Sequence, residues 1–287
     1  MSTFIRRAIA IASTVCLASL AACSGNKSDD AGATASSANA DGATTLTIGA
    51  SPVPHGDILQ FVQDNLAKDA GLDLKIVEYT DYVQPNVALS EGELDANFFQ
   101  HVPYFEAEVA EKGYQFDHFD GVHIEPYGVY SEKIKDIAEL ADGAKVGISN
   151  DPSNQARALQ LLVKEGVLKD ANKEDASILD YQGNTEANPK NIEFVEAEAA
   201  ALPRLLPDVD AAIINGNFAL EAGLKPAEDA IVLESGENNP YANVVAYRTD
   251  TDKKEALQKL DELLHSSQVA EFIKQKWPNG EVIPAFK

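Results

Sequence analysis

Cysteine, methionine, tryptophan and positive charge are all scarce in this chain. Its 287 residues include two cysteines, one methionine and one tryptophan, and 23 Lys+Arg stand against 46 Asp+Glu. A formal net charge of -23 sets the chain against phosphate backbones, which excludes nucleic acid as a partner. The same charge repels anionic lipid surfaces unless a covalent group holds the chain there. No Gly-x-Ser-x-Gly elbow occurs, and no Gly-rich phosphate loop of the P-loop or dinucleotide type. The sequence therefore supports no hydrolase or nucleotide chemistry, and it is read as a non-enzyme without a cofactor. Hydrophobic content of 45% and charged content of 24% are ordinary for a folded globular chain.

The scarce residues fall mostly at the N-terminus. Arg6 and Arg7 precede an uncharged, mostly apolar run from Ala8 to Ala22, whose 15 residues are too few to span a bilayer comfortably. The run ends in Leu20-Ala21-Ala22-Cys23, small residues before a cysteine, which resembles a bacterial lipobox. Residues 1–22 are then a signal peptide and Cys23 is the diacylated first residue of the mature protein. Loss of the two arginines takes the formal charge from -23 to -25. Met1 and Cys16 are lost as well, and Cys23 carries lipid, so neither a disulfide nor a catalytic thiol remains. Two acyl chains give a stable anchor where one is marginal. Residues 23–45 follow as the lipidated cysteine and a Ser, Gly, Ala, Asn and Asp-rich tether. The folded part is placed outside the cytoplasm, on a leash, as a monomer.

From Leu46 onward strand and helix patterns alternate. Leu46 to Ala50, Leu72 to Tyr79 and Asp95 to Phe99 read as strands. The intervening helices are Asp57 to Ala70 and Pro85 to Gly92, with another from about Pro103 to Lys112. The pattern restarts with strands at Ala144 to Ser149, Ile192 to Glu196 and Asp210 to Ile214, and helices at Ser153 to Glu165 and Glu198 to Leu206. His123 to Tyr130 and Asn243 to Arg248 read as extended crossings, and Lys253 to Lys276 as a C-terminal helix. The expected fold class is α/β, with mostly parallel sheets in two lobes. Lobe 1 takes residues 46–128 plus 243–287, and lobe 2 takes 129–242.

In open α/β sheets, ligands bind beyond the C-terminal ends of the strands. Tyr82 lies beyond the second strand, and Phe99 and His101 lie at the end of the third. In extended chain those two share a face while Phe98 points into the core. Tyr104 follows them. Asp151-Pro152 is an N-cap followed by proline, which puts Asn154 and Arg157 one turn apart near a helix start. A guanidinium there suits a carboxylate, held in bidentate fashion. Asn215 follows the last strand of lobe 2, and Asn243 opens the second crossing. Their amide oxygens suit an ammonium group, although Asn215-Gly216 is also ordinary turn chemistry. Taken together, these groups describe a site for a zwitterionic amino acid with an uncharged side chain.

These residues sit in segments that resemble the NlpA family, the methionine-binding lipoproteins of ABC importers. The segments are Ser51-Pro52-Val53-Pro54-His55, Asp81 to Asn86, Leu94 to His101, Asn150 to Asn154 with Arg157, Asn215 to Ala219, Asn239 to Asn243 and Val282 to Phe286. The resemblance implies a two-lobed, periplasmic-binding-protein-like fold of type II, with two crossover segments and a central ligand cleft. It also implies that Arg157 binds the methionine carboxylate and that Asn215 and Asn243 hold the polar end. Tyr82, Phe99, His101 and Tyr104 then surround the thioether, a polarizable group that packs well on rings. The implied partners are a membrane permease and a cytoplasmic ATPase. Another apolar amino acid or a methionine-containing dipeptide stays open as ligand. A metal-import reading also competes, with His118, His123 and Glu125 clustered in sequence and His55 and His101 expected to converge in the cleft. No zinc-ligand spacing supports it.

Overall fold

The computed structural model describes residues 42–171 and 175–286. The expected signal segment, Cys23 and nearly all of the tether lie outside these residues. Among the described residues, no helix is long and apolar enough to cross a membrane.

The first block is a βαβαβ unit. Strand β1 (Thr44–Ala50) leads to helix α1 (Asp57–Val62), which runs on in wider turns to Ala67. Strand β2 (Leu72–Glu78), helix α2 (Gln84–Ser90), strand β3 (Ala96–His101) and helix α3 (Val102–Lys112) follow. β1 starts two residues before Leu46, because Thr44 and Thr45 are β-branched and pair in register with Leu72 and Asp73. The tether therefore ends sooner than its polar composition implied. Short strands β4 (Phe116–His118) and β5 (His123–Ile124) close the block.

The second block opens with β6 (Gly128–Tyr130) and continues through β7 (Lys145–Ser149), α4 (Pro152–Lys164) and β8 (Glu193–Ala197). Short helix α5 (Leu202–Leu205), β9 (Ala211–Ile214), α6 (Gly216–Glu221), α7 (Pro226–Asp229) and β10 (Ala230–Leu233) complete it. The chain then returns through β11 (Ala242–Arg248), α8 (Lys254–Leu264), α9 (Ser267–Lys276) and β12 (Ile283–Pro284).

Two sheets result. The first runs β12-β5-β11-β3-β1-β2, with β4 also paired to β11, and the second runs β10-β6-β9-β7-β8. Each has a parallel side, β3-β1-β2 in one and β9-β7-β8 in the other. The flanking strands are antiparallel. None of them is joined to its neighbour by a βαβ crossover, and β6 and β11 enter their sheets directly from the segments that cross between lobes, so nothing obliges these strands to run parallel. The Asn243 to Arg248 stretch is thus not a crossing. It is β11, a strand inside the first sheet, and the crossings are residues 125–127 and 234–241. The lobe boundary expected after residue 128 falls inside β6.

The C-terminal tail returns to the first lobe. Leu257, Leu260, Leu264, Val269 and Ile273 are fully buried against Leu46, Ile48, Ile58 and Leu59. Lys253 Nζ pairs with Asp95 Oδ2 at 2.9 Å and bonds the Thr45 carbonyl at 3.0 Å. The single helix expected from Lys253 to Lys276 is two helices. Ser266 breaks it, because its hydroxyl accepts the Val269 N–H and so caps α9. Lobe 2 has its own core around Val146, Ile148, Leu159, Leu162 and Ile213, all fully buried.

Candidate ligand-binding site

All eight side chains singled out from the sequence line one pocket of about 330 Å³: Tyr82, Phe99, His101, Tyr104, Asn154, Arg157, Asn215 and Asn243. Gln100, Glu125, Gly216 and Asn217 complete the lining. Both sheets contribute, each from the C-terminal ends of its parallel strands.

β3 brings three consecutive residues to the pocket because it is bulged. Val244 of β11 faces Gln100, and Val245 faces Phe98, so Phe99 is the unopposed residue. Simple alternation holds for Phe98, which packs on the His55 and His123 rings at 4.7 and 5.3 Å. It misses Gln100, whose amide bonds Asn86 and Asn97. His101 ends β3 and caps α3. Its Nδ1 accepts the Tyr104 N–H at 3.1 Å, which leaves Nε2 to donate to Asn154 Oδ1 at 3.1 Å. Burial, with the Arg157 charge beside it, lowers the His101 pKa to about 3, so the ring is neutral.

The aromatic end is a cluster centred on Tyr82, whose ring lies 5.8 Å from Phe99, 5.7 Å from Tyr104 and 4.8 Å from Phe218. The Tyr82 hydroxyl crosses to the other lobe and donates to Asn217 Oδ1 at 2.6 Å. The Tyr104 hydroxyl donates to the Tyr82 carbonyl at 3.1 Å.

The polar end is built on α4. Asp151 caps the helix by accepting the Asn154 N–H at 2.8 Å and also holds the Asn154 amide nitrogen. Asn154 Oδ1 then faces the pocket, where it accepts from His101 and from Asn215 at 2.8 Å. One turn on, the Arg157 guanidinium is 96% buried and is grasped by both crossings. Its Nε donates to Glu234 Oε1 at 3.2 Å, and one terminal nitrogen pairs with Glu234 Oε2. The same nitrogen donates to the Glu125 carbonyl at 3.0 Å. The rings of Tyr127 and Tyr241 lie 4.8 and 4.0 Å from the guanidinium carbon. Glu234 and Tyr127 also tie the crossings together through the Glu234 N–H and Tyr127 carbonyl at 2.9 Å. Neither Glu234 nor Tyr241 carries a sequence signal for this role, since Glu234 lies 77 positions from Arg157 and meets it only through the fold.

Behind the polar end lies a buried cluster. Glu125 Oε1 accepts from His123 Nε2 at 2.8 Å, and His55 Nε2 lies 3.3 Å from the same oxygen and 3.0 Å from Asn243 Oδ1. Burial lowers His55 to about 4 and His123 to about 3 and pushes the Glu125 carboxyl up. Among the described residues these three form the group able to hold a metal, with donor atoms within 4.8 Å of one another. The 2.8 Å separation is a hydrogen bond, shorter than the ~3.3 Å edge that zinc–ligand bonds near 2.0 Å would give a tetrahedral site. His118 is not in this group. It sits on β4 with its Nδ1 on the Phe119 carbonyl, so the trio grouped by sequence proximity does not form. Gly216 is required by close approach rather than by a turn, because a Cβ there would stand 2.7 Å from the Glu125 Cβ.

Comparison with known proteins matches residues 46–286 to the NlpA lipoprotein family model. The D-methionine-binding lipoprotein MetQ of Escherichia coli strain K12 is 39% identical over 224 residues, covering 77% of this chain and 82% of that protein. A nutrient binding protein from Burkholderia cenocepacia, solved bound to methionine, superposes with a TM-score of 0.78 at 42% identity, covering 84% of this chain and all of that one. An ABC transporter periplasmic substrate-binding protein from Coxiella burnetii superposes with a TM-score of 0.77 at 39% identity, with the same coverage of each chain.

Proposed function

This chain belongs to the NlpA lipoprotein family, and from that membership we propose that it captures methionine between its lobes for an ABC importer. The observation that carries the proposal is one pocket, lined from both sheets, with rings at one end and a buried guanidinium at the other. In this reading Arg157 receives the carboxylate. Phe99, Tyr82 and Tyr104 pack on the thioether, with His101 at the edge. Asn154, Asn215 and Asn243 place the polar end. A ligand that touches both lobes stabilises their closed arrangement, which is the form a permease would recognise.

We further propose that Cys23 carries the lipid that anchors the protein outside the cytoplasm, with residues 24–43 as tether. A tethered receptor stays at high local concentration beside its transporter. Two measurements test the reading. Mass spectrometry of the purified protein should find methionine carried through purification. Calorimetry should rank L-methionine above leucine and above Gly-Met. Preference for leucine or for the dipeptide would replace the ligand while keeping the receptor role. Absence of binding to all three would overturn the proposal.

A further inference from the structure

We infer that the Glu125 carboxylate is the counter-charge for the ligand's ammonium group, with His55 and His123 as positioning residues behind it. This rests on the amino-acid reading of the same pocket. An amino acid brings two charges into a buried site, and each needs a partner there. The guanidinium of Arg157 is the cation for the carboxylate, and it is already shared with Glu234.

The ammonium needs acceptors, and most amide oxygens in the pocket are in use. Asn154 Oδ1 accepts from His101 and Asn215, Asn217 Oδ1 accepts from Tyr82, and Asn243 Oδ1 is engaged by His55. Asn215 Oδ1 is buried and without a partner, which makes it one acceptor aimed into the site. An ammonium has three donors, so one amide oxygen leaves it undersupplied. Glu125 is the acidic side chain in the pocket lining. It lies against the residue that follows Asn215, because a Cβ on Gly216 would stand 3.1 Å from Glu125 Oε2. The carboxylate and the free amide oxygen therefore flank the same corner.

The cluster behind Glu125 suits this task. Neither Nδ1 has a hydrogen-bond partner, so the proton of each neutral ring sits on Nε2: His123 donates it to Glu125 Oε1 at 2.8 Å, and His55 divides its own between Asn243 Oδ1 at 3.0 Å and the same carboxylate oxygen at 3.3 Å. Neutral donors orient a carboxylate without cancelling its charge. Burial pushes the Glu125 carboxyl up, so an arriving ammonium favours its ionised form.

The test compares L-methionine with 4-(methylsulfanyl)butanoate, which keeps the carboxylate and thioether but lacks the amine. By calorimetry, wild-type protein should bind methionine about 100-fold more tightly than the amine-free acid. Glu125→Gln should remove most of that ratio by weakening methionine, while affinity for the acid changes by less than about threefold. His123→Gln retains a donor and should keep most of the ratio, whereas His123→Leu should lower it. Equal weakening of both ligands by Glu125→Gln would make the residue merely structural and overturn the inference. Unchanged methionine affinity in that variant would overturn it too. Equal wild-type affinity for the two ligands would exclude an ammonium subsite and overturn the inference even if a variant does not fold, and Glu125→Ala, read by the same ratio, then replaces Glu125→Gln. Failure of wild type to bind methionine at all would instead overturn the parent reading.

Discussion

At one end of the pocket, rings mostly from the first lobe pack on one another, joined by Phe218 of the second, and no charge is involved. At the other end, a buried guanidinium from the second lobe is held by a carboxylate, a carbonyl and two rings from the crossings. The aromatic end is prepared by shape. Its groups lose little by being buried, and it reaches the other lobe through the Tyr82–Asn217 and His101–Asn154 hydrogen bonds and the Phe218 ring. The polar end is prepared by charge. A guanidinium at 4% exposure would be costly unless paired, so the fold supplies Glu234 and links the site to both crossings. The comparison teaches that the aromatic end sets which side chain fits, whereas the polar end joins binding to the segments about which the lobes would move.

The largest expected effect tests the polar end. Arg157→Ala should weaken methionine binding by more than about 100-fold in calorimetry. It should also destabilise the fold by about 1–2 kcal/mol in denaturant unfolding, because Glu234, only partly exposed, loses its charge partner and keeps just the hydrogen bonds from Asn239 and the Tyr127 N–H. Adding Glu234→Gln should restore much of the stability but none of the binding. Restored binding would mean that the guanidinium serves the fold and not the ligand.

A smaller effect is expected at the aromatic end. Phe99→Ala should lower methionine affinity by about 1–2 kcal/mol while sparing the unfolding midpoint more than Arg157→Ala does. Affinity for alanine, which lacks the thioether, should hardly change. Equal losses for both ligands would sink the division of roles. Tyr82→Phe removes the hydroxyl bond to Asn217 between the lobes and should cost about 1 kcal/mol of binding.

A last effect, read in stability and not in binding, separates the regions by pH. His55, His101 and His123 fall to about 4, 3 and 3 on folding, below the ordinary 6.5. The unfolded chain takes up protons first, so stability falls as pH drops below 6.5, each ring adding up to about 1.4 kcal/mol per pH unit. His265, on the back of the first lobe, behaves oppositely. Hydrogen bonding to Asp261 raises it to about 9. Its contribution is fully present below 6.5 and is lost as pH rises through about 9. Across pH 4.5 to 9, the unfolding midpoint of His123→Gln should therefore converge on wild type toward acid and that of His265→Gln toward alkali. A parallel offset at every pH would contradict both assignments.

Much of the architecture was legible in the sequence. The 3.6-residue period marked α4 and the apolar runs marked β1, β3, β7 and β9, because local burial demands those patterns. Strand ends followed by Tyr, His, Asn and Arg pointed to one side of the sheets, and the eight residues named there do share one pocket. The C-terminal tail was misread as one helix because the serine that divides it looks like any polar surface residue until its hydroxyl meets the Val269 N–H. The second crossing was misplaced because an extended apolar stretch has the same pattern whether it bridges lobes or joins a sheet.

By itself the sequence determined the principal strands and helices of both blocks, the order in which they run and which chemical groups stand at their ends, since periodicity, caps and turn residues act over a few positions. The tertiary structure alone decided three other features. It bulged β3 at Phe99, it set Glu234 against Arg157, and it gathered His55, His123 and Glu125 behind the pocket. Each of these depends on contacts between segments far apart in the chain. The energy of pairing a buried charge or satisfying a buried donor is realised only when packing removes the water, and no local pattern records which distant group will then be near.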